Sequence, residues 1–84
     1  MKKTEENEFV LYEFGKRVAY LRNLEGITQE ELGFRSELEK SYIGDIEKGK
    51  RNPTFINILK ISKGLNVSLE ELFKGIGKIK NRRL

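Results

Sequence analysis

Apolar residues recur along this chain at steps of three and four, and alternation with polar residues never persists. That period belongs to helices rather than strands. Val10, Phe14, Val18 and Leu21 mark one face of a first helix over residues 9–24, which Gly26 ends. Thr28 followed by Glu31 is a capping box, a hydroxyl and a carboxylate placed to satisfy the free amides of a first turn. It opens a second helix to about Ser36. A turn through Glu37, Leu38 and Glu39 leads to a third helix over 40–48, which Gly49 stops. Residues 50–53 form a loop that ends at the only proline of the chain. Thr54 then caps a fourth helix, "FINILKISKGL", apolar on most of its circumference and ended by Gly64 or Asn66. Ser68 and Glu71 form a second capping box, opening a short fifth helix to about Phe73. The pattern predicts an all-α fold of five helices. Residues 1–8 are an N-terminal extension, 9–73 the domain and 74–84 a basic C-terminal tail.

The third helix breaks a rule. Gly44 sits between Ile43 and Ile46, and glycine inside a helix costs about 1 kcal/mol relative to alanine. With each residue advancing about 100°, Lys40, Gly44, Lys48, Ser41 and Asp45 fall within roughly 140° of one another. Tyr42, Ile43 and Ile46 fall opposite, between about 200° and 300°. Gly44 therefore lies on the face turned away from the core, where a missing side chain lets backbone approach a surface closely.

Composition narrows the chemistry. At 84 residues the chain forms one small domain. It has no cysteine, hence no disulfide framework or thiolate metal site, and no histidine, the commonest general base and metal ligand. No apolar run approaches membrane-spanning length, and "MKKTEENEF" lacks the apolar core of a signal peptide. The paired carboxylates Glu30–Glu31 and Glu70–Glu71 sit in capping boxes, where the helix dipole favours them. "GIGK" is too short for a phosphate loop and follows no strand. We therefore expect no enzyme, no catalytic residue, no metal and no cofactor. Charge is lopsided. Residues 1–39 carry 6 Lys/Arg against 9 Asp/Glu, a net −3, whereas 40–84 carry 11 against 4, a net +7. A one-sided positive field points to a polyanion, most simply nucleic acid.

Two short helices joined by a three-residue turn is the layout of a DNA-binding helix-turn-helix. A close crossing needs a small residue in the first helix, and Gly33 supplies it. The packing side needs apolar residues at fixed offsets, and Leu32, Leu38, Ile43 and Ile46 supply them. The outward face of the second helix must be polar, as the helical wheel shows.

On "ITQEEL", "SYIGDIEKGKRNP" and "NVSLEELF" in register, the sequence resembles the Cro/C1-type (XRE) helix-turn-helix domain of phage repressors and bacterial regulators, over about residues 14–73. Among its subgroups it is similar to the short controller proteins of restriction–modification systems. The resemblance implies a five-helix, lambda-repressor-like domain that binds double-stranded DNA and regulates transcription. It implies that Lys40, Ser41, Gly44 and Asp45 face the major groove, with Tyr42 beside them touching backbone or groove and counted with them for base readout. Lys48, Lys50, Arg51 and Asn52 would hold the sugar-phosphate backbone. Thr28 and Gln29 would lie on the backbone at the start of the second helix, Gln29 contacting a phosphate or supporting base readout. Arg17 and Glu47 would form a structural pair tying the first helix to the third. Two positions depart from the family pattern. Glu37 stands where the turn usually has Gly, and Glu39 stands where Ser or Thr usually caps the third helix.

One recognition helix reads too few base pairs to find a single genomic site, so a homodimer on a near-palindromic operator is expected. Leu69, Leu72, Phe73, Ile76 and Ile79 form an apolar series with helical spacing offered for its interface, joined by Ile61, which points away from the main stripe of the fourth helix. The expected setting is the cytoplasm of a prokaryote, in a bacterial or phage-encoded system. An antitoxin-type module whose main partner is another protein is the competing class.

Overall fold

Local capping chemistry sets where α2, α4 and α5 start. The computed structural model describes residues 3–78, and they fold as α1 (Lys3–Glu25), α2 (Gln29–Ser36), α3 (Lys40–Glu47), α4 (Phe55–Leu65) and α5 (Leu69–Leu72). Thr28, Thr54 and Ser68 each hold extended backbone, and their hydroxyls accept from the amides of Glu31, Asn57 and Glu71 at 3.0, 3.1 and 3.0 Å. The Glu31 carboxylate turns to Arg35 Nε at 3.1 Å, one helical turn on. Asn66 ends α4 in the left-handed conformation.

α1 begins two turns earlier than the apolar pattern predicts. "KTEENE" carries no apolar residue, but its residues are tolerant of helix, and Glu5 and Glu6 favour the positive end of the helix dipole. The expected boundary between extension and domain at residue 9 is therefore not a break: one helix crosses it. Residues 79–84, which hold most of the expected basic tail and Ile79, lie outside the described residues.

The core is contributed by every element. Phe14, Val18 and Leu21 of α1 meet Leu32 of α2, Ile43 and Ile46 of α3, Ile61 and Leu65 of α4, and Leu72 of α5. Removing each such side chain from water is worth about 1.5–3 kcal/mol. Ile61 and Leu72 were expected at a dimer interface, and here the structure corrects the sequence reading: both are fully buried. α4 crosses the middle of the bundle, so even the side of it that lies off the main apolar stripe meets a neighbour. Leu72 closes the bundle from α5.

Three glycines let helices approach their neighbours closely. A Cβ on Gly33 would stand 2.6 Å from the Leu38 carbonyl oxygen, which is why the α2–α3 turn can close. One on Gly15 would run into the Ile46 carbonyl, fixing α1 against the end of α3. One on Gly64 would collide with the Ser36 hydroxyl, where α4 crosses α2.

Candidate nucleic-acid interface

α3 shows the split that its sequence predicts. Ile43 and Ile46 are buried, Lys40, Ser41 and Lys48 are exposed, and Gly44 and Asp45 are half-buried between them. Glu39 precedes α3 in extended backbone and makes no side-chain cap bond. Glu37 stands in the left-handed region at φ 61°, where its Cβ costs about 1 kcal/mol. The turn keeps this strained residue because its amide reaches Phe34 O at 3.2 Å and that of Leu38 reaches Gly33 O at 2.8 Å.

The loop after α3 is equally constrained. Gly49, at φ 75°, lies against the α1 backbone, and a Cβ there would stand 3.0 Å from Tyr12 Cα. The Lys50 amide folds back to Asp45 O at 2.9 Å. Pro53 is buried, whereas Lys48, Lys50, Arg51 and Asn52 are exposed. Four cations, counting Lys40, thus line the outward side of α3 and the loop that follows. Such side chains form charge-assisted bonds to phosphate, and a polar helix face in the groove reads base edges.

Tyr42 braces this loop. Its hydroxyl accepts from Asn57 Nδ2 at 3.0 Å, and the Arg51 guanidinium lies 4.7 Å above its ring. Arg51 Nε is also 3.9 Å from Asp45 Oδ2. Tyr42, Asp45, Arg51 and Asn57 therefore tie α3, the loop and α4 together. Asn57 is a member that sequence reading missed, because nothing local marks it.

The expected pair of Arg17 with Glu47 does not form. Arg17 Nη2 reaches Glu71 Oε2 at 2.7 Å and the Glu71 carbonyl at 2.8 Å. The partner of Glu47 is Arg22, with Nε to Oε2 at 2.6 Å and Nη2 to Oε1 at 3.0 Å; Arg22 Nη1 also donates to Ile27 O at 2.9 Å. Five residues separate the two arginines, so they stand roughly 140° apart around α1. Arg17 faces α5, and Arg22 faces the end of α3. Arg22 lies seven residues, two turns, after Gly15, and it is the fold that seats Gly15, and with it this face of α1, against α3. Gln29 joins the cluster, its Nε2 donating to Glu47 Oε1 at 2.9 Å. Hydrogen bonding to Glu47 raises the Arg22 pKa, burial opposes this, and charge attraction to Glu47 adds to the rise. Thr28 keeps its hydroxyl oxygen in the cap of α2. Of the remaining residues expected at a dimer interface, Leu69 and Ile76 are half-buried on the core, and Phe73 is exposed and pairs with Phe14 at 6.0 Å between ring centres.

The helix-turn-helix family model matches residues 18–72, from the middle of α1 to the end of α5. The chain belongs to the helix-turn-helix family. It is 39% identical over 66 residues to the control protein C.MunI of a Mycoplasma species, covering 77% of this chain and 89% of that one. It is 40% identical over 73 residues to the control protein C.BamHI of Bacillus amyloliquefaciens, covering 83% and 90%. The crystal structure of the restriction–modification controller protein C.AhdI from Aeromonas hydrophila superposes with a TM-score of 0.73 at 44% identity, covering 75% of this chain and 96% of that one. As a helix-turn-helix regulator of the XRE type, the chain is a DNA-binding regulator of transcription, and its family is not one of enzymes.

Proposed function

We propose that this regulator acts as a homodimer, placing α3 of each copy in successive major grooves of a near-palindromic operator, and that it serves as a controller protein of a restriction–modification system in the bacterial cytoplasm. Base choice falls to Lys40, Ser41, Gly44 and Asp45, and backbone affinity to Lys48, Lys50, Arg51 and Asn52, with Thr28 and Gln29 at the edge of the site. The chain itself catalyses nothing. The observation that carries the reading is the outward face of α3, polar, without a large apolar side chain and continuous with the exposed cations of the next loop. The controller assignment is supported by the relatives at 39–44% identity that bear that description.

Replacing Lys50 and Arg51 by Ala should weaken binding to all duplexes alike and reduce the salt slope by about one per contact. Replacing Lys40 by Ala should cost about 1–3 kcal/mol at the cognate site and little on random duplex. Electrophoretic shifts across a salt series measure both, and equal losses for Lys40→Ala on the two duplexes would refute the division of labour.

A further inference from the structure

The two ends of the described chain meet on one face of α1. With each residue advancing about 100°, Glu5, Glu6, Phe9, Val10 and Glu13 fall within roughly 140° of one another. The segment that leaves α5 passes over this face, and the Gly77 amide donates to Glu13 Oε1 at 3.3 Å. Between them lies a groove of about 660 Å³. Phe9 and Val10 are its apolar floor, 59% and 39% exposed. Glu5, Glu6 and Glu13 are its acidic rim, and Gly77 and Lys78 border it. Among the described residues, none of these three carboxylates has a cation within salt-bridge distance. No residue of α1 before Phe14 belongs to the core, so the start of this helix is held by nothing buried. All of these positions lie outside the span matched by the family model.

We propose that residues 79–84, "IKNRRL", dock in this groove of their own chain, clasping the start of α1 to the segment after α5. The charges are complementary: Lys80, Arg82 and Arg83 face a rim of Glu5, Glu6 and Glu13, and the segment holds no acidic side chain. Its starting point is fixed, because Lys78 already borders the groove. Its reach suffices. Six residues extend to at most about 20 Å, whereas the eight-residue step from Glu13 back to Glu5 rises only about 12 Å along the helix. Ile79 is the apolar residue that the segment brings to Phe9 and Val10. The tether favours this occupant over a second copy, since a short linker holds a partner at an effective concentration on the order of millimolar. Covering the open Phe9 ring removes apolar surface from water, which the carboxylates alone would leave exposed.

The chain has no tryptophan, so Phe9→Trp places a single fluorophore on the groove floor of the full chain. At low salt its emission should be blue-shifted from that of indole in water and shielded from acrylamide, and dilution should change neither. Adding Lys80→Glu, Arg82→Glu and Arg83→Glu together should shift the emission to the red and remove the shielding. Adding Glu5→Gln, Glu6→Gln and Glu13→Gln instead should do the same. So should salt near about 1 M, where the screening length falls to about 3 Å. Circular dichroism checks that each variant keeps its helices. A fluorophore as open to acrylamide as free indole in the otherwise unaltered chain would overturn the proposal. Emission unmoved by either set of charge changes would overturn it too. Shielding lost on dilution would give the groove to a second copy and would overturn docking within one chain.

Discussion

Glu47 ends α3 with its side chain only 8% exposed, and three groups converge on it: two guanidinium nitrogens of Arg22 and the Gln29 amide. A carboxylate so placed is stable only while its partners remain, because removing one side of such a pair strands the other charge away from water. Arg22→Ala should therefore lower stability by about 3 kcal/mol in urea denaturation. Arg17→Ala should cost about 1 kcal/mol or less, since its partner Glu71 is 48% exposed and solvent screens the pair. Equal losses would contradict the reassignment of the α1–α3 tie. The pH dependence follows from the direction of the Arg22 shift. A raised folded-state pKa contributes stability that is fully present below the ordinary arginine value and is lost only as pH rises through the folded one. That window is strongly alkaline, so the Arg22 contribution should be constant across the neutral range.

At the scale of elements, the α2–α3 turn trades stability for geometry. Glu37→Gly relieves the left-handed Cβ and adds unfolded-state entropy, a net gain of about 0.5 kcal/mol. The melting midpoint should rise by about 2–4 °C. A fall would mean that the Glu37 side chain makes contacts that outweigh the strain. The starts of α2, α4 and α5 were legible in the sequence because caps are local: Thr28, Thr54 and Ser68 each act within three residues of themselves. The split of α3 was legible because a helix of fixed pitch presents Ile43 and Ile46 together. What was not legible depends on neighbours distant in the chain. Either Arg17 or Arg22 has the reach and charge to meet Glu47, and only the seat of Gly15 on Ile46 decides between them. Ile61 looked free because α4 is apolar nearly all round, and periodicity cannot say which of its faces the bundle will cover. The first two turns of α1 were missed because polar residues form helix without leaving an apolar stripe.

For the whole molecule, the acidic and basic halves of the sequence become different regions of one surface. Lys40, Lys48, Lys50 and Arg51 gather at α3 and its loop, while Glu5, Glu6 and Glu13 stay on α1. With Ile61 and Leu72 committed to the core, what remains at the surface of the apolar series expected at a dimer interface is, among the described residues, Phe73 with the flanks of Leu69 and Ile76. Sedimentation equilibrium at micromolar concentration should find a dimer, and Phe73→Asp should shift it towards monomer. A wild type that remains monomeric would sink the two-fold mechanism. The central claim, that α3 reads sequence in double-stranded DNA as one of a symmetric pair, is tested most directly by binding isotherms on a selected near-palindromic duplex and on a scrambled one of equal length near physiological salt. The account predicts saturation at two chains per selected duplex, with binding at least about 10³-fold tighter than to the scrambled one. Equal affinity for the two duplexes would contradict it.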